Sequence, residues 1–208
     1  KNIILSSFNT EKVTNMSSMF YGCDGLESIV VNDNNVSYDS RNNSRHFALE
    51  AAKIFAKSGI TTYIYKEIMP VPMLSFAVRH LKCQAGIMIT ASHNPAKYNG
   101  YKAYGPDGCQ LNIEDSANVY DYIQKVDTFT GIQKMDFDSA INQGSIEYIG
   151  DDVIDAYMAN VKKQSVSPDA CADSGLNVIY TPLHGAGCKP VQRILKEIAG
   201  TSIDVDLN

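Results

Sequence analysis

The stretch Ala85-Gly86-Ile87-Met88-Ile89-Thr90-Ala91-Ser92-His93-Asn94-Pro95 decides the fold. Its first five residues are short, apolar and bounded by polar sequence, which reads as a buried strand. The next residues leave that strand as a loop. Ala96-Lys97-Tyr98-Asn99-Gly100-Tyr101-Lys102 follows and contains an Asn-Gly tight-turn signal. A hydroxyl, an imidazole and two lysines therefore gather at one strand end. Open α/β sheets bind ligands outside the carboxyl ends of their strands, so the chemistry is expected on the Ser92 loop.

Working upstream, Ile60-Thr61-Thr62-Tyr63-Ile64-Tyr65 is β-branched and aromatic and reads as a strand. Between it and the Ser92 strand, Pro72 opens a helix over Met73 to Leu81. Further upstream, Phe47, Ala48, Ala51, Ala52, Ile54 and Phe55 recur at helical spacing and stop at Gly59. Asn43 or Ser44 is the expected cap of that helix. Val36-Ser37-Tyr38 reads as a very short strand after a polar break at Asn32-Asp33-Asn34-Asn35. Strand, helix, strand, helix, strand is the pattern of crossover units around a mainly parallel sheet.

Downstream, Tyr101 to Tyr104 and Cys109 to Leu111 flank Gly105-Pro106-Asp107-Gly108 as a hairpin-like pair. Ile113 to Val126 reads as a helix capped by Asn112, with Glu114 and Asp115 in its first turn where the dipole favours acids. Thr128 to Gly150 has weak periodicity and reads as a connection. Asp151 to Lys163 is an expected helix with Val153, Ile154, Tyr157, Met158 and Val161 as its stripe, and Ser165 to Gly175 a loop. Leu176 to Tyr180 then reads as a strand. Thr181-Pro182-Leu183-His184-Gly185-Ala186-Gly187 leads to a helix over Pro190 to Ala199, and Ile203 to Leu207 starts a further strand. A glycine-bearing loop between strand and helix aims backbone N–H groups at an anion.

The 208 residues are 44% hydrophobic, enough to bury a core, and carry a net charge of −5 with dispersed Lys and Arg. No basic stripe of the kind nucleic-acid binders use is visible. No apolar run approaches the roughly 18 residues of a membrane span, and no signal peptide is visible. Cys23, Cys83, Cys109, Cys171 and Cys188 stand singly, without a C-x-x-C pair, which fits reduced thiols in the cytoplasm. The chain begins at Lys1 rather than Met, so its natural start is expected to be missing.

Ser92 beside His93 suggests a serine hydrolase. Adjacent side chains of an extended segment point opposite ways, which places His93 poorly as a base, and no G-x-S-x-G elbow is present. Arg41, Lys97 and Lys102 supply the positive charge a dianionic phosphate needs. A serine that carries a phosphoryl group suits that setting better than an acyl-enzyme serine. Lys97 is read as a solvated loop charge.

On these residues the chain resembles the α-D-phosphohexomutases, the phosphoglucomutases and phosphomannomutases. Residues 85–95 with Tyr98-Asn99-Gly100-Tyr101-Lys102 resemble that family's active-site signature. Tyr38-Asp39-Ser40-Arg41 resembles its first arginine loop, and Thr181 to Gly187 the opening of its second domain. The resemblance implies an intramolecular phosphotransferase that interconverts sugar 1- and 6-phosphates. Phosphorylated Ser92 donates to the sugar, and a bisphosphate reorients and returns its other phosphate. A Mg²⁺ ion bridges the phosphoserine, so Ser92 is its expected ligand through the phosphate, and glucose 1,6-bisphosphate is the implied activator. By position Lys102 is the implied acid/base, and Arg41 and His93 steady charge. Asn94, Asn99, Gly100 and His184 are implied phosphate or substrate contacts. His184 is equally well a plain loop histidine. Glucose, mannose and pentose phosphates all stay open as substrate, and the sequence carries no sign of oligomeric state.

Residues 1–35 read differently. Met16, Met19 and Phe20 share a short helical face, and Val13-Thr14-Asn15-Met16-Ser17-Ser18-Met19-Phe20 resembles one unit of BspA-like leucine-rich surface-protein repeats. A solenoid needs at least three units. The family's Asp-Gly-Asp-x-Asp-Arg metal loop, its sugar-selecting loop and its last domain do not occur in the chain. The expectation is an α/β protein in three parts: a repeat fragment over 1–35, a three-layer α/β/α domain I with the phosphoserine loop over 36–150, and the start of domain II over 151–208. It is read as a truncated or fused form, incomplete for turnover alone. The rival is a surface-attached interaction protein built on leucine-rich repeats and carrying a mutase remnant. The expected location is the cytoplasm, or the cell surface or outside if the repeat-like segment is genuine.

Overall fold

The structure, a computed structural model, describes residues 32–125, 133–170, 177–199 and 203–205. The repeat-like reading of the first 31 residues lies outside them. The chain divides into two compact units between Ile149 and Gly150.

The first unit is built on a five-stranded sheet. In chain order its elements are β1 (Asp33–Tyr38), α1 (Ser44–Lys57), β2 (Thr61–Ile64), α2 (Val71–His80), β3 (Ala85–Ile89), β4 (Tyr101–Tyr104), α3 (Ile113–Ile123), α4 (Phe137–Asn142) and β5 (Ile146–Tyr148). The strand order is β4-β3-β1-β2-β5. All neighbours are parallel except β3 and β4. The crossover through α1 leads from β1 to β2, and that through α2 leads back past β1 to β3. The two helices therefore cover opposite faces. Val36, Tyr38, Ile64, Ile87, Ile89, Tyr101 and Ala103 pack with Ala48, Ala52 and Phe55 of α1 and Ala140 of α4. Met88 and Tyr104 pack on the other face with Leu74 and Val78 of α2. Gly86 is required there: a Cβ on it would lie 2.5 Å from Val78 Cγ2.

Several expectations change. The polar break at Asn32 to Asn35 is strand from Asp33 onward, and β1 is the central strand, paired with β2 and β3 along its length. Asn34 and Asn35 are fully buried, and their amides find no hydrogen-bond partner among the described residues. Flanking ladders hold the backbone in place despite the side chains' poor fit to a buried strand. The connection expected over Thr128 to Gly150 contains α4 and β5, with Asp136 capping α4 through Ser139 N at 2.9 Å. The expected side-chain cap on α1 is absent. Asn43 sits in the left-handed region at φ 62 without a cap bond, and Ser44 Oγ turns instead to Asp39 Oδ1 at 2.7 Å. Asn112 does cap α3, accepting from Asp115 N at 2.9 Å.

The second unit contains α5 (Asp151–Lys162), a 3-10 turn at Pro168–Ala170, β6 (Val178–Tyr180), α6 (Cys188–Ala199) and β7 (Ile203–Val205). Strands β6 and β7 are parallel. Of the stripe expected on α5, Val153 and Met158 are buried. Lys162 pairs with Glu197, and Arg193 with Asp155 and Glu197, which tie α5 to α6. No described helix is long and apolar enough to cross a membrane.

Candidate active site

The loops after β1 and β3 lie side by side, because Tyr38 is in register with Ile89. The chain leaves β1 toward one side of the sheet and reaches β3 from the other, so this is the switch point of the sheet, where a crevice opens at the strand ends. The Ser92 loop occupies it.

Ser92 is exposed and has φ 57, a left-handed conformation that non-glycine residues seldom adopt. The cost is about 1–2 kcal/mol, and such strain persists only when surrounding contacts enforce it. The loop is not extended here, which corrects the expected separation of Ser92 and His93: Ser92 Oγ lies 3.3 Å from His93 Nδ1.

Arg41 supplies much of the enforcement. Its Nη2 donates to the Ser92 carbonyl, and its Nη1 to the carbonyls of Asn94, Pro95 at 3.0 Å and Tyr98 at 3.5 Å. Its Nε pairs with Asp39 Oδ2 at 3.2 Å. A planar guanidinium with five donors suits this fan of acceptors. Asn94 closes the loop's turn, its Nδ2 donating to the Ala91 carbonyl at 3.0 Å. Asn99 is buried, with Nδ2 donating to Ser44 Oγ at 2.8 Å and to the Asn42 carbonyl at 3.0 Å. Its Oδ1 accepts from Gly100 N at 2.8 Å, and the Gly100 carbonyl accepts from Thr90 N at 2.9 Å. Arg41, Asn94, Asn99 and Gly100 thus form the loop's frame around Ser92 and His93.

Lys102 lies on β4 opposite Met88 and shares the α2 face with it. It makes no hydrogen bond or ion pair with Ser92 among the described residues. Lys97 is exposed, its Nζ over the Tyr98 ring at 5.2 Å. His184 belongs to the second unit. It is exposed on the β6–α6 loop, between Leu183 at φ 51 and Gly185, whose N–H donates to the Pro182 carbonyl at 2.8 Å.

Sequence reasoning passed over Asp39 and Thr90. Asp39 lies in the quoted Tyr38-Asp39-Ser40-Arg41 segment, and its Oδ1 accepts from Arg41 N at 3.0 Å, a turn that Asp before a helix entrance commonly makes. That habit is the signal that marks it. Among the described residues no three His, Cys, Asp or Glu side chains converge, and both Asp39 carboxylate oxygens are engaged within the loops. Mg²⁺ takes about six oxygen ligands, so the described side chains do not by themselves form a cage for it.

The sequence model described as phosphoglucomutase/phosphomannomutase, alpha/beta/alpha domain I, matches residues 26–129. A phosphoglucomutase of Staphylococcus saprophyticus is 42% identical over 163 residues, 78% of this chain and 29% of that protein. One of Staphylococcus aureus strain N315 is 37% identical over 166 residues, again 78% of this chain and 29% of the relative. A Thermus thermophilus crystal structure assigned to the phosphomannomutases superposes with a TM-score of 0.68 at 26% identity, over 83% of this chain and 36% of that one. Parafusin, a phosphoglucomutase of Paramecium in its open form, shares the fold, with a TM-score of 0.69 at 17% identity over 90% of this chain and 38% of its own. The chain spans about 29% of the length of the curated relatives it matches. A serine loop framed by an arginine at the switch point of an α/β sheet, together with a family match that begins before β1 and runs past α3, shows that the chain belongs to the phosphoglucomutase/phosphomannomutase family.

Proposed function

We propose that Ser92 carries the phosphoryl group in a sugar-phosphate mutase reaction, with this chain contributing the phosphoserine domain. The observation that carries the reading is the strained, exposed Ser92, whose carbonyl Arg41 grips together with those of Asn94, Pro95 and Tyr98. A phosphoryl-carrying serine must project from a rigid loop, since phosphoryl transfer depends mainly on positioning and charge stabilisation.

In the forward half-step, the phosphoester bond of phospho-Ser92 breaks and a bond forms to a hydroxyl oxygen of the sugar monophosphate. The sugar hydroxyl loses its proton and Ser92 Oγ regains one. His93 Nδ1, at 3.3 Å from Oγ, can hold that proton. Lys102 is the proposed acid/base for the sugar hydroxyl, and Asn94 and His184 are proposed phosphate contacts. Asn99 and Gly100 support the loop rather than reach outward. When bound, Mg²⁺ would supply charge neutralisation at the phosphate.

Incubating the chain with glucose 1,6-bisphosphate and Mg²⁺ and mapping phosphate by mass spectrometry tests the reading. One phosphoryl group on Ser92, absent in Ser92→Ala, is expected. Folded protein that takes no phosphate at Ser92 overturns it. The Ser92–His93 contact also favours a hydrolase, which predicts labelling of Ser92 by a fluorophosphonate probe. No third group orients His93 among the described residues, so no labelling is expected.

A further inference from the structure

We propose that Asp39 is a positioning residue for Ser92, acting through the hydroxyl of Thr90; the inference deepens the phosphoserine reading and rests on it for its catalytic meaning. Asp39 follows β1 and Thr90 follows β3, brought together by the parallel register and by the bond from Asp39 N to the Ile89 carbonyl at 3.2 Å. Thr90 Oγ1 donates to Asp39 Oδ2 at 2.5 Å. The same oxygen accepts from Ser92 N at 3.0 Å. A hydroxyl has one proton and two lone pairs. The carboxylate takes the proton, so a lone pair is left facing the Ser92 N–H, and the charge strengthens both bonds.

The direction of this relay is what matters. The other oxygen, Oδ1, accepts from Arg41 N at 3.0 Å and Ser44 Oγ at 2.7 Å, and Ser44 Oγ in turn accepts from Asn99 Nδ2 at 2.8 Å. One carboxylate therefore fixes the arginine that grips the loop's carbonyls and the threonine that grips the nucleophile's own N–H. Ser92 is held at both ends of its peptide framework, by Thr90 at its nitrogen and by Arg41 at its carbonyl. That double hold accounts for φ 57 at a residue with a Cβ. Asn at position 39 keeps the size and loses the charge. Its amide can also present N–H groups to Thr90 and reverse the relay.

The test uses the full chain with Thr90→Val, which keeps the shape and removes the hydroxyl; Thr90→Ser, which restores it; and Asp39→Asn. Two quantities are read: amide hydrogen exchange at Ser92 by NMR, and the rate of phosphate uptake at Ser92 from glucose 1,6-bisphosphate with Mg²⁺. In Thr90→Val and Asp39→Asn, Ser92 exchange is expected to accelerate, and phosphate uptake to slow, by about tenfold or more, as loss of a bond backed by a charge implies. Thr90→Ser is expected to restore both. Unchanged exchange at Ser92 in Thr90→Val overturns the proposal. So does uptake lost equally in Thr90→Val and Thr90→Ser together with loss of near-ultraviolet circular dichroism, which would make the pair a folding element only. If the wild type takes no phosphate, the phosphoserine reading falls, while Ser92 exchange in the variants still decides the positioning claim.

Discussion

Arg41 shows how one side chain converts sequence-distant backbone into a site. Its guanidinium reaches carbonyls of Ser92, Asn94, Pro95 and Tyr98, more than fifty residues downstream. The sequence marked it as a charge for phosphate, whereas the structure engages its donors with the loop. Lysine at this position keeps the charge but cannot fan out to several acceptors. Arg41→Lys is therefore expected to slow phosphate uptake at Ser92 by about 10- to 100-fold, on the strength of lost charge-assisted bonds, while far-ultraviolet circular dichroism stays unchanged. Wild-type uptake in this variant would mean that Arg41 acts as charge alone. His93 shows the reverse error: the alternation rule for strands assigned it away from Ser92, and the left-handed turn at Ser92 brings it back. Backbone sign at one residue is not legible in a single sequence.

Among the elements, β1 departs most from its sequence. Two adjacent asparagines read as a break, yet they lie in the middle of the sheet, one toward each face. Asn35 is in register with Gly86 beneath α2. Its amide is buried and lacks a partner among the described residues, which costs about 1–3 kcal/mol. Asn35→Val is expected to raise the urea midpoint of the first unit, by about 1 kcal/mol in stability, with no change of slope. A lower midpoint would show that the amide has a partner that the valine cannot replace. The strands that were legible, β2, β3, β4, β6 and β7, are those with apolar, aromatic or β-branched residues. Strand β5 buries only Ile146 and α4 spans six residues, so neither carries an apolar run that periodicity can register. Their place comes from tertiary partners: Ile146 pairs beside Thr62, and Met135 N donates to the Lys53 carbonyl at 3.1 Å.

At the scale of the whole molecule, the α/β pattern and the switch-point site were legible because they follow from element order, which the hydrophobic runs carry. The tie between α1 and the segment before α4 was not. It runs through Glu50, which pairs with Lys53 and with Lys134 at 2.6 Å. Burial pushes the Glu50 carboxyl up, but hydrogen bonds from Lys134 and Lys53 and their charges outweigh it, so its pKa lies below the usual glutamate value. A lowered folded-state pKa stabilises above the unfolded value, and that gain is lost as pH falls through the folded one. Wild type is thus expected to exceed Glu50→Gln by about 0.5 kcal/mol near pH 7, a screened pair's contribution. The gap should close below the glutamate range, read from urea midpoints. A constant gap would place the effect in packing.

The two units should also differ in local stability. Strand β1 is flanked on both sides and its residues from Asn34 to Tyr38 are buried. In the second unit, β6 and β7 pair over three residues each, and Ile179 is 79% exposed. A two-stranded sheet buries less than the five-stranded one, and opening free energies follow buried contact. Amides of Val178–Tyr180 are expected to exchange about 100-fold faster than those of Val36–Tyr38 under native conditions. Equal protection in both strands would mean that the second unit opens only with the first. The Ser92 loop belongs to the first unit, so the hold on Ser92 is expected to persist through fluctuations that open β6.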